Sequence, residues 1–322
     1  MHSVAKTDAA SHLRWPTVSE PMDDRVEYDE FGLFHENAQE FGLPWDGPQA
    51  VERHAVEVAP GRRLSALVWG IGDPEMVLLH GGGQNAHTWD TVALALRRPL
   101  VAIDLPGHGH SDDASETSEL RPRAFADDVA NAVGELAPHA GLVVGMSLGG
   151  LTAIALGSRH PRLVRRLAVV DVTPGVDRTK ASDIVSFLAG PESFANFDEI
   201  LQRTIRFNPT RSESSLRRGV LHNAVRRDDG RWVWRHQRGS RPVYGPDTEI
   251  DFDGLWDDLA AVTAPVLLVT GASSSVVDDA DRAAFHQRQP DARIETIDGA
   301  GHSIQGDRPL ELAALLAEFA ES

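Results

Sequence analysis

The chain has 322 residues, with 31 Lys and Arg against 48 Asp and Glu, a formal net charge of −17. That acidic excess is the opposite of a nucleic-acid binder's basic footprint, so no nucleic-acid partner is expected. Cysteine is absent, which removes disulfides, thiolate metal sites and cysteine nucleophiles, while 41% hydrophobic and 25% charged residues describe an ordinary globular chain.

In chain order, residues 1–52 are mixed and polar, interrupted by Pro16, Pro21, Pro44 and Pro48. They are expected to form an N-terminal extension with one short helix and no chemistry of its own. The first sixteen residues lack the apolar run of a signal peptide. No stretch reaches the roughly 18 apolar residues of a membrane-spanning helix, so no membrane partner is expected. The predicted setting is a cytoplasmic enzyme or binding protein.

From His54 the texture changes to short apolar runs: Ala55–Ala59, Leu64–Trp69, Met76–Leu79, Leu100–Ile103, Leu142–Val144, Leu167–Val170, Val266–Val269 and Ile294–Ile297. Several are continuous Val, Leu and Ile, the pattern of strands buried on both faces of a parallel sheet. Amphipathic stretches lie between them at Arg123–Leu136, Leu148–Arg159, Asp279–Gln287 and Pro309–Glu321. Alternation of this kind predicts an α/β fold built from right-handed crossovers. Between Asp171 and Pro265 more than ninety residues carry no buried-strand signal, and a structureless loop of that length is implausible. A mainly helical insertion is expected there.

The strongest chemical signal is Gly145-Met146-Ser147-Leu148-Gly149, placed directly after a predicted strand and directly before a predicted helix. Strand, turn and helix in that order is the context in which G-x-S-x-G carries a nucleophile rather than an N-cap serine. A second signal, His80-Gly81-Gly82-Gly83-Gln84, also follows a strand. Glycines there let backbone N–H groups face a developing oxyanion, with the N–H of Leu148 as the partner donor. No G-x-x-x-x-G-K-[ST] or G-x-G-x-x-G pattern completes a phosphate loop, so no cofactor is expected. His302, in Gly299-Ala300-Gly301-His302 after the last predicted strand, stands out as the base. His80, His87, His108 and His110 are read as loop hydrogen-bonders. His108-Gly109-His110 finds no third ligand at a matching spacing, so no metal is expected.

These stretches, together with Asp104-Leu105-Pro106-Gly107-His108-Gly109-His110-Ser111, make the chain resemble the α/β-hydrolase superfamily over about residues 54–321, specifically its cofactor-free serine hydrolases with a helical cap. The resemblance implies a mostly parallel eight-stranded sheet flanked by helices, with the cap inserted before the last two strands. It implies a core of 53–173 and 261–322 and a cap of 174–260. It implies Ser147 as nucleophile, His302 as base, and an oxyanion hole of Gly82 and Leu148. The stretch from Asp104 to Ser111 is a structural turn in that family and receives no catalytic role.

The family's usual acid follows the penultimate strand, where this chain reads Ala272-Ser273-Ser274-Ser275. Asp171, at the end of the strand Leu167–Val170, is the preferred triad acid. Asp278 and Asp279 are the alternatives, although both also read as the cap and first turn of the next helix.

The insertion is locally basic. Eleven Arg stand between Arg203 and Arg241 against Glu213, Asp228 and Asp229, a net +8. They are expected to pair with the acidic main domain, while one or two of them are candidates for holding an anionic substrate. Trp232, Trp234, Phe187, Phe194 and Phe197 are expected to form cap core or to line an apolar pocket. The combined expectation is hydrolysis of an ester, lactone or thioester on a small-molecule substrate, by a monomer or homodimer. The alternatives are a carbon–carbon bond hydrolase of a keto acid and a non-catalytic receptor on the same scaffold.

Overall fold

The continuous apolar runs require burial on both faces, and they receive it. A computed structural model describes residues 26, 28–47, 49–113, 122–176, 179–188, 190–209, 211–237 and 252–322. In chain order the described elements begin with α1 (Phe34–Phe41), β1 (Val51–Ala59), β2 (Arg62–Trp69), β3 (Met76–Leu79), α2 (Asp90–Leu96) and β4 (Leu100–Ile103). They continue with α3 (Pro122–Leu136), β5 (Leu142–Met146), α4 (Leu148–Arg159), β6 (Leu167–Val170), α5 (Ser182–Leu188), α6 (Phe197–Phe207) and α7 (Glu213–Asn223). The chain closes with β7 (Ala224–Arg226), β8 (Trp232–Trp234), α8 (Phe252–Ala261), β9 (Val266–Gly271), α9 (Asp279–Arg288), β10 (Arg293–Ile297), α10 (Ile304–Asp307) and α11 (Pro309–Glu321).

Eight strands form one sheet in the order β1-β2-β4-β3-β5-β6-β9-β10. β2 pairs antiparallel with both its neighbours, and every pairing from β4 to β10 is parallel. The fold is therefore the expected mostly parallel eight-stranded α/β-hydrolase sheet, with an insertion between β6 and β9. α3, α4 and α8 cover one face through Phe125, Val129, Ile154, Leu156, Leu255 and Leu259. α1, α2 and α11 cover the other through Phe34, Val92, Leu94, Leu312 and Leu316. Strand β5, with β3 and β6 as neighbours, has all five residues buried, so the turn that follows it is held rigidly.

The expected mainly helical insertion also carries a short hairpin. α6 and α7 pack on a small hairpin of β7 and β8, and Phe194, Ile200, Leu201, Leu216, Val220 and Trp232 form a separate apolar cluster. The hairpin turns at Gly230, which has φ +82°, and the Asp229-Gly230 pair is a strong local hairpin signal. α8, inside the segment expected as cap, buries Leu255 and Leu259 in the sheet's core instead.

The N-terminal segment is also more engaged than expected. Arg218 of α7, whose side chain is only 4% exposed, pairs with Glu36 and Glu40 of α1, and Ser212 donates to Glu40. The phenol of Tyr28 is hydrogen-bonded to His222 Nδ1 at 2.9 Å. Glu30 accepts from Arg53, which also holds Asp104 at 2.9 Å. Residues 28–40 thus tie the insertion to the sheet domain. Of the cap arginines, Arg218 answers acids of this segment rather than of the sheet domain. Arg231 instead donates to Ser193 within the insertion, and Arg238 and Arg241 lie outside the described residues.

Candidate active site

The turn after β5 puts Ser147 at φ +51° and ψ −119°, a conformation costly for any L-residue. The flanking glycines make it possible. A Cβ on Gly145 would collide with the backbone of Gly149 and Gly150, and one on Gly149 would collide with the carbonyls of Leu79 and His80. Ser147 N–H donates to Val170 O at 3.0 Å, and Leu151 N–H donates back to Ser147 O at 3.0 Å. The backbone is thus locked from both sides. The Ser147 side chain faces a cavity of about 420 Å³ that His302 also lines.

Asp171 sits at the end of β6, fully buried and at φ +51°. Its Oδ1 accepts the Gly271 N–H at 2.9 Å, and its Oδ2 accepts Ser274 Oγ–H at 2.5 Å and His302 Nδ1–H at 2.8 Å. A carboxylate only accepts, so this contact assigns the proton to Nδ1 and leaves Nε2 with its lone pair. Asp278 and Asp279 lie elsewhere. Asp278 forms a capping box with Asp281 at the start of α9 and binds Lys180 at 3.0 Å, while Asp279 pairs with Arg282. Ser275, at the position expected for the family's acid, donates to Lys180 O at 3.3 Å.

The glycine loop is held against the nucleophile turn. His80 Nδ1–H donates to Gly81 O at 2.7 Å and its Nε2 accepts Leu105 N–H at 2.9 Å, which fixes the neutral tautomer. Burial lowers its pKa accordingly. A Cβ on Gly81 would sit 3.3 Å from Ser147 Cβ, so the Gly81–Gly82 peptide lies beside the serine. Leu148 begins α4, and its N–H has no intrahelical partner. Asp104 supports the same loop by accepting Ala86 N–H at 2.7 Å and His110 N–H at 3.0 Å.

Two glutamines that the sequence reading did not single out connect this loop to the histidine. Gln84 Oε1 accepts Gly81 N–H at 3.1 Å and Gln305 Nε2–H at 3.3 Å, and Gln305 also donates to Thr88 at 3.1 Å. Gln84 ends the glycine motif without a role read from it, and no motif marks Gln305, whose partner Gln84 is 221 residues away. Over the cavity the insertion places Phe187, Leu188, Phe207 and Trp234, so Phe187 and Trp234 reach the cavity while Phe194 and Trp232 stay in the insertion's own core.

A second polar cluster borders the cavity. His87 Nδ1–H donates to Asp90 at 3.0 Å, Glu30 accepts from His87 Nε2 at 3.1 Å, and His222 stacks on His87 at 3.8 Å and 12°. Ligating atoms of His87, Asp90 and His222 lie within 4.8 Å of one another. A metal bonds along an imidazole's in-plane lone pair at about 2.0–2.1 Å. Two stacked rings cannot both point such a lone pair at one ion, so this arrangement is an ion-pair cluster rather than a chelate. Burial lowers the His87 pKa, but Asp90 and Glu30 outweigh it and lift the imidazole to about 9.

An eight-stranded, mostly parallel sheet with a strained serine after its fifth strand, a buried acid at the end of β6 and a histidine in the loop after β10 bonded to that acid define an α/β hydrolase. The chain belongs to the alpha/beta hydrolase family, whose model matches residues 76–315. It is 42% identical over 301 residues to esterase Rv0045c of Mycobacterium tuberculosis, covering 91% of this chain and 96% of that one. The crystal structure of that esterase superposes with a TM-score of 0.79, covering 92% of this chain and 99% of the other. The mouse sn-1-specific diacylglycerol lipase ABHD11 is 26% identical over 265 residues, with 76% of this chain and 80% of the relative covered. Among the described residues no helix is long and apolar enough to cross a membrane.

Proposed function

We propose that this chain hydrolyses carboxylic esters of small molecules through a triad of Ser147, His302 and Asp171, with the N–H groups of Gly82 and Leu148 as the oxyanion hole. The observation that carries the reading is the 2.8 Å contact between His302 Nδ1 and buried Asp171, beside a cavity that Ser147 also lines. The kinship with esterase Rv0045c supports ester hydrolysis in particular.

The chemistry follows from the roles. Asp171 holds the His302 proton on Nδ1, so Nε2 takes the proton of Ser147 as its oxygen attacks the carbonyl carbon. Charge moves to the carbonyl oxygen, where Leu148 and Gly82 supply fixed donors, each worth about 2.7–4 kcal/mol in such sites. The tetrahedral intermediate collapses, and His302 passes its proton to the departing alcohol. Water, deprotonated by the same Nε2, then cleaves the acyl-enzyme and restores the serine. Ser147 Oγ has no hydrogen bond to a described residue within 3.5 Å. In enzymes of this type that contact commonly tightens only when substrate is bound. The ester bond of a lactone or thioester fits the same steps. The enzyme works in the cytoplasm as a monomer or homodimer in this reading.

Ser147→Ala tests it with a neutral p-nitrophenyl ester and a fluorophosphonate probe. The variant is expected to lose about 10⁶-fold in kcat and all labelling. Labelling or turnover equal to the parent protein would overturn the assignment and favour a receptor or a different nucleophile.

A further inference from the structure

Resting on that ester-hydrolase reading, we propose that Arg211 is a carboxylate-binding residue of the substrate cavity, so that the preferred substrates are esters bearing a second, free carboxylate, such as monoesters of dicarboxylic acids.

Arg211 lies on the cavity wall shared with Ser147 and His302. Its guanidinium rests on α10, the turn of helix just after His302. A Cβ on Gly306 would sit 2.7 Å from Arg211 Cζ and 2.8 Å from Nη1. Glycine at 306 thus makes a seat for the guanidinium four residues from the histidine. Among the described residues the charge has no ion-pair partner. Nη2 donates to Ser215 Oγ at 2.6 Å, Nε is buried without an acceptor, and no carboxylate of a described residue comes within ion-pair distance.

The nearby acids are committed elsewhere. Asp307 Oδ2 accepts Gly301 N–H at 2.9 Å, while Glu40 is held by Arg218 and Ser212. Arg218, two turns further along the same segment, shows what the fold does when a cap arginine is structural: it receives both Glu36 and Glu40. Burial lowers the Arg211 pKa despite Asp307 and Glu40. A guanidinium does not release its proton near neutral pH, so a charge withdrawn from water without a partner is a standing cost. A carboxylate arriving in the cavity removes that cost and gains charge-assisted hydrogen bonds. The apolar wall of Phe187, Phe207 and Trp234 suits the methylene chain between the two ends of such a substrate.

The test compares monomethyl succinate, glutarate and adipate with methyl esters of monocarboxylic acids of matching length. The parent protein is expected to favour the best carboxylated ester by about ten- to a hundredfold in kcat/KM, mostly through KM. Arg211→Gln is expected to reduce that ratio at least tenfold. Gly306→Ala, which displaces the guanidinium without removing it, is expected to reduce it in the same direction. Calorimetric binding of glutarate, measured without turnover, is expected for the parent protein and lost in Arg211→Gln. Equal preference for neutral and carboxylated esters, or a ratio and a glutarate affinity unchanged in both variants, would overturn the proposal. Neutral esters hydrolysed without any carboxylate preference would remove Arg211's role alone. Failure to hydrolyse any ester would remove the hydrolase reading, and glutarate binding would then decide the Arg211 site by itself. If neither variant folds, the parent protein's preference and its glutarate binding still decide.

Discussion

His302 Nδ1 and Asp171 Oδ2 meet at 2.8 Å although 131 residues separate them, and the carboxylate's other bonds come from Gly271 N–H and Ser274 Oγ–H. The loop after β9, where the family resemblance places the acid, carries Ser275, and its neighbour Ser274 donates to an acid on the adjoining strand. β6 and β9 are paired neighbours in the sheet, so their carboxyl ends open side by side. An acid moved from one strand end to the next therefore reaches the same imidazole.

Asp171→Asn separates the two candidate acids. Asparagine keeps the shape but donates where the carboxylate accepts, which favours the wrong imidazole tautomer, and kcat is expected to fall about 10⁴-fold. Asp278→Ala removes an N-cap and its reciprocal bond with Asp281, so it is expected to lower stability modestly while leaving kcat within about twofold. Ester turnover and urea denaturation of both variants check this. Full activity in Asp171→Asn with collapse in Asp278→Ala would reverse the assignment.

Much of the sheet was legible because buried parallel strands read as continuous apolar runs: β3, β4 and β6 match the runs Met76–Leu79, Leu100–Ile103 and Leu167–Val170 residue for residue. Ser147 and His302 stood out for a related reason, since local backbone demands write glycines beside them. The less legible parts depend on distant partners. Glu30, Glu36 and Glu40 look like any solvated acids until Arg53 and Arg218 are folded onto them. Trp232, Val233 and Trp234 are all buried, but a run of three residues is too short to mark a strand. The choice of acid stayed open in the sequence because the β6–β9 and β9–β10 pairings together bring Asp171 beside the loop that carries His302.

The coupling between α1 and the cap has a measurable energy. Arg218 is nearly sealed, whereas the side chains of Glu36 and Glu40 are 30% and 22% exposed, so part of the attraction is screened. A double-mutant cycle of Glu40→Gln and Arg218→Gln is expected to give a coupling energy of about 1–2 kcal/mol. Arg218→Gln alone is expected to be the more destabilising single change, because it leaves two carboxylates unpaired. A coupling below about 0.3 kcal/mol would mean that the N-terminal segment does not anchor the cap through this pair.

The His87 cluster makes stability depend on alkaline pH. Asp90 and Glu30 hold His87 near a pKa of about 9 in the folded protein, against about 6.5 in an unfolded chain. The folded state then binds the proton more tightly, so its contribution is fully present below about pH 6.5 and is lost as pH rises through about 9. The lost amount is on the order of 3 kcal/mol. The same contacts lower Glu30 to about 2: burial opposes the shift, but His87 and Arg53 outweigh it, so that carboxylate's contribution disappears only as pH falls towards 2. Urea denaturation at pH 6, 7.5 and 9.5 is therefore expected to show the parent protein losing stability steeply between the last two points. His87→Gln is expected to be less stable at pH 6 and to show a shallower decline, so the two proteins converge at pH 9.5. Parallel curves over this range would mean that the imidazole does not bind its proton more tightly in the folded state, and that His87 is held in the cluster as a neutral ring.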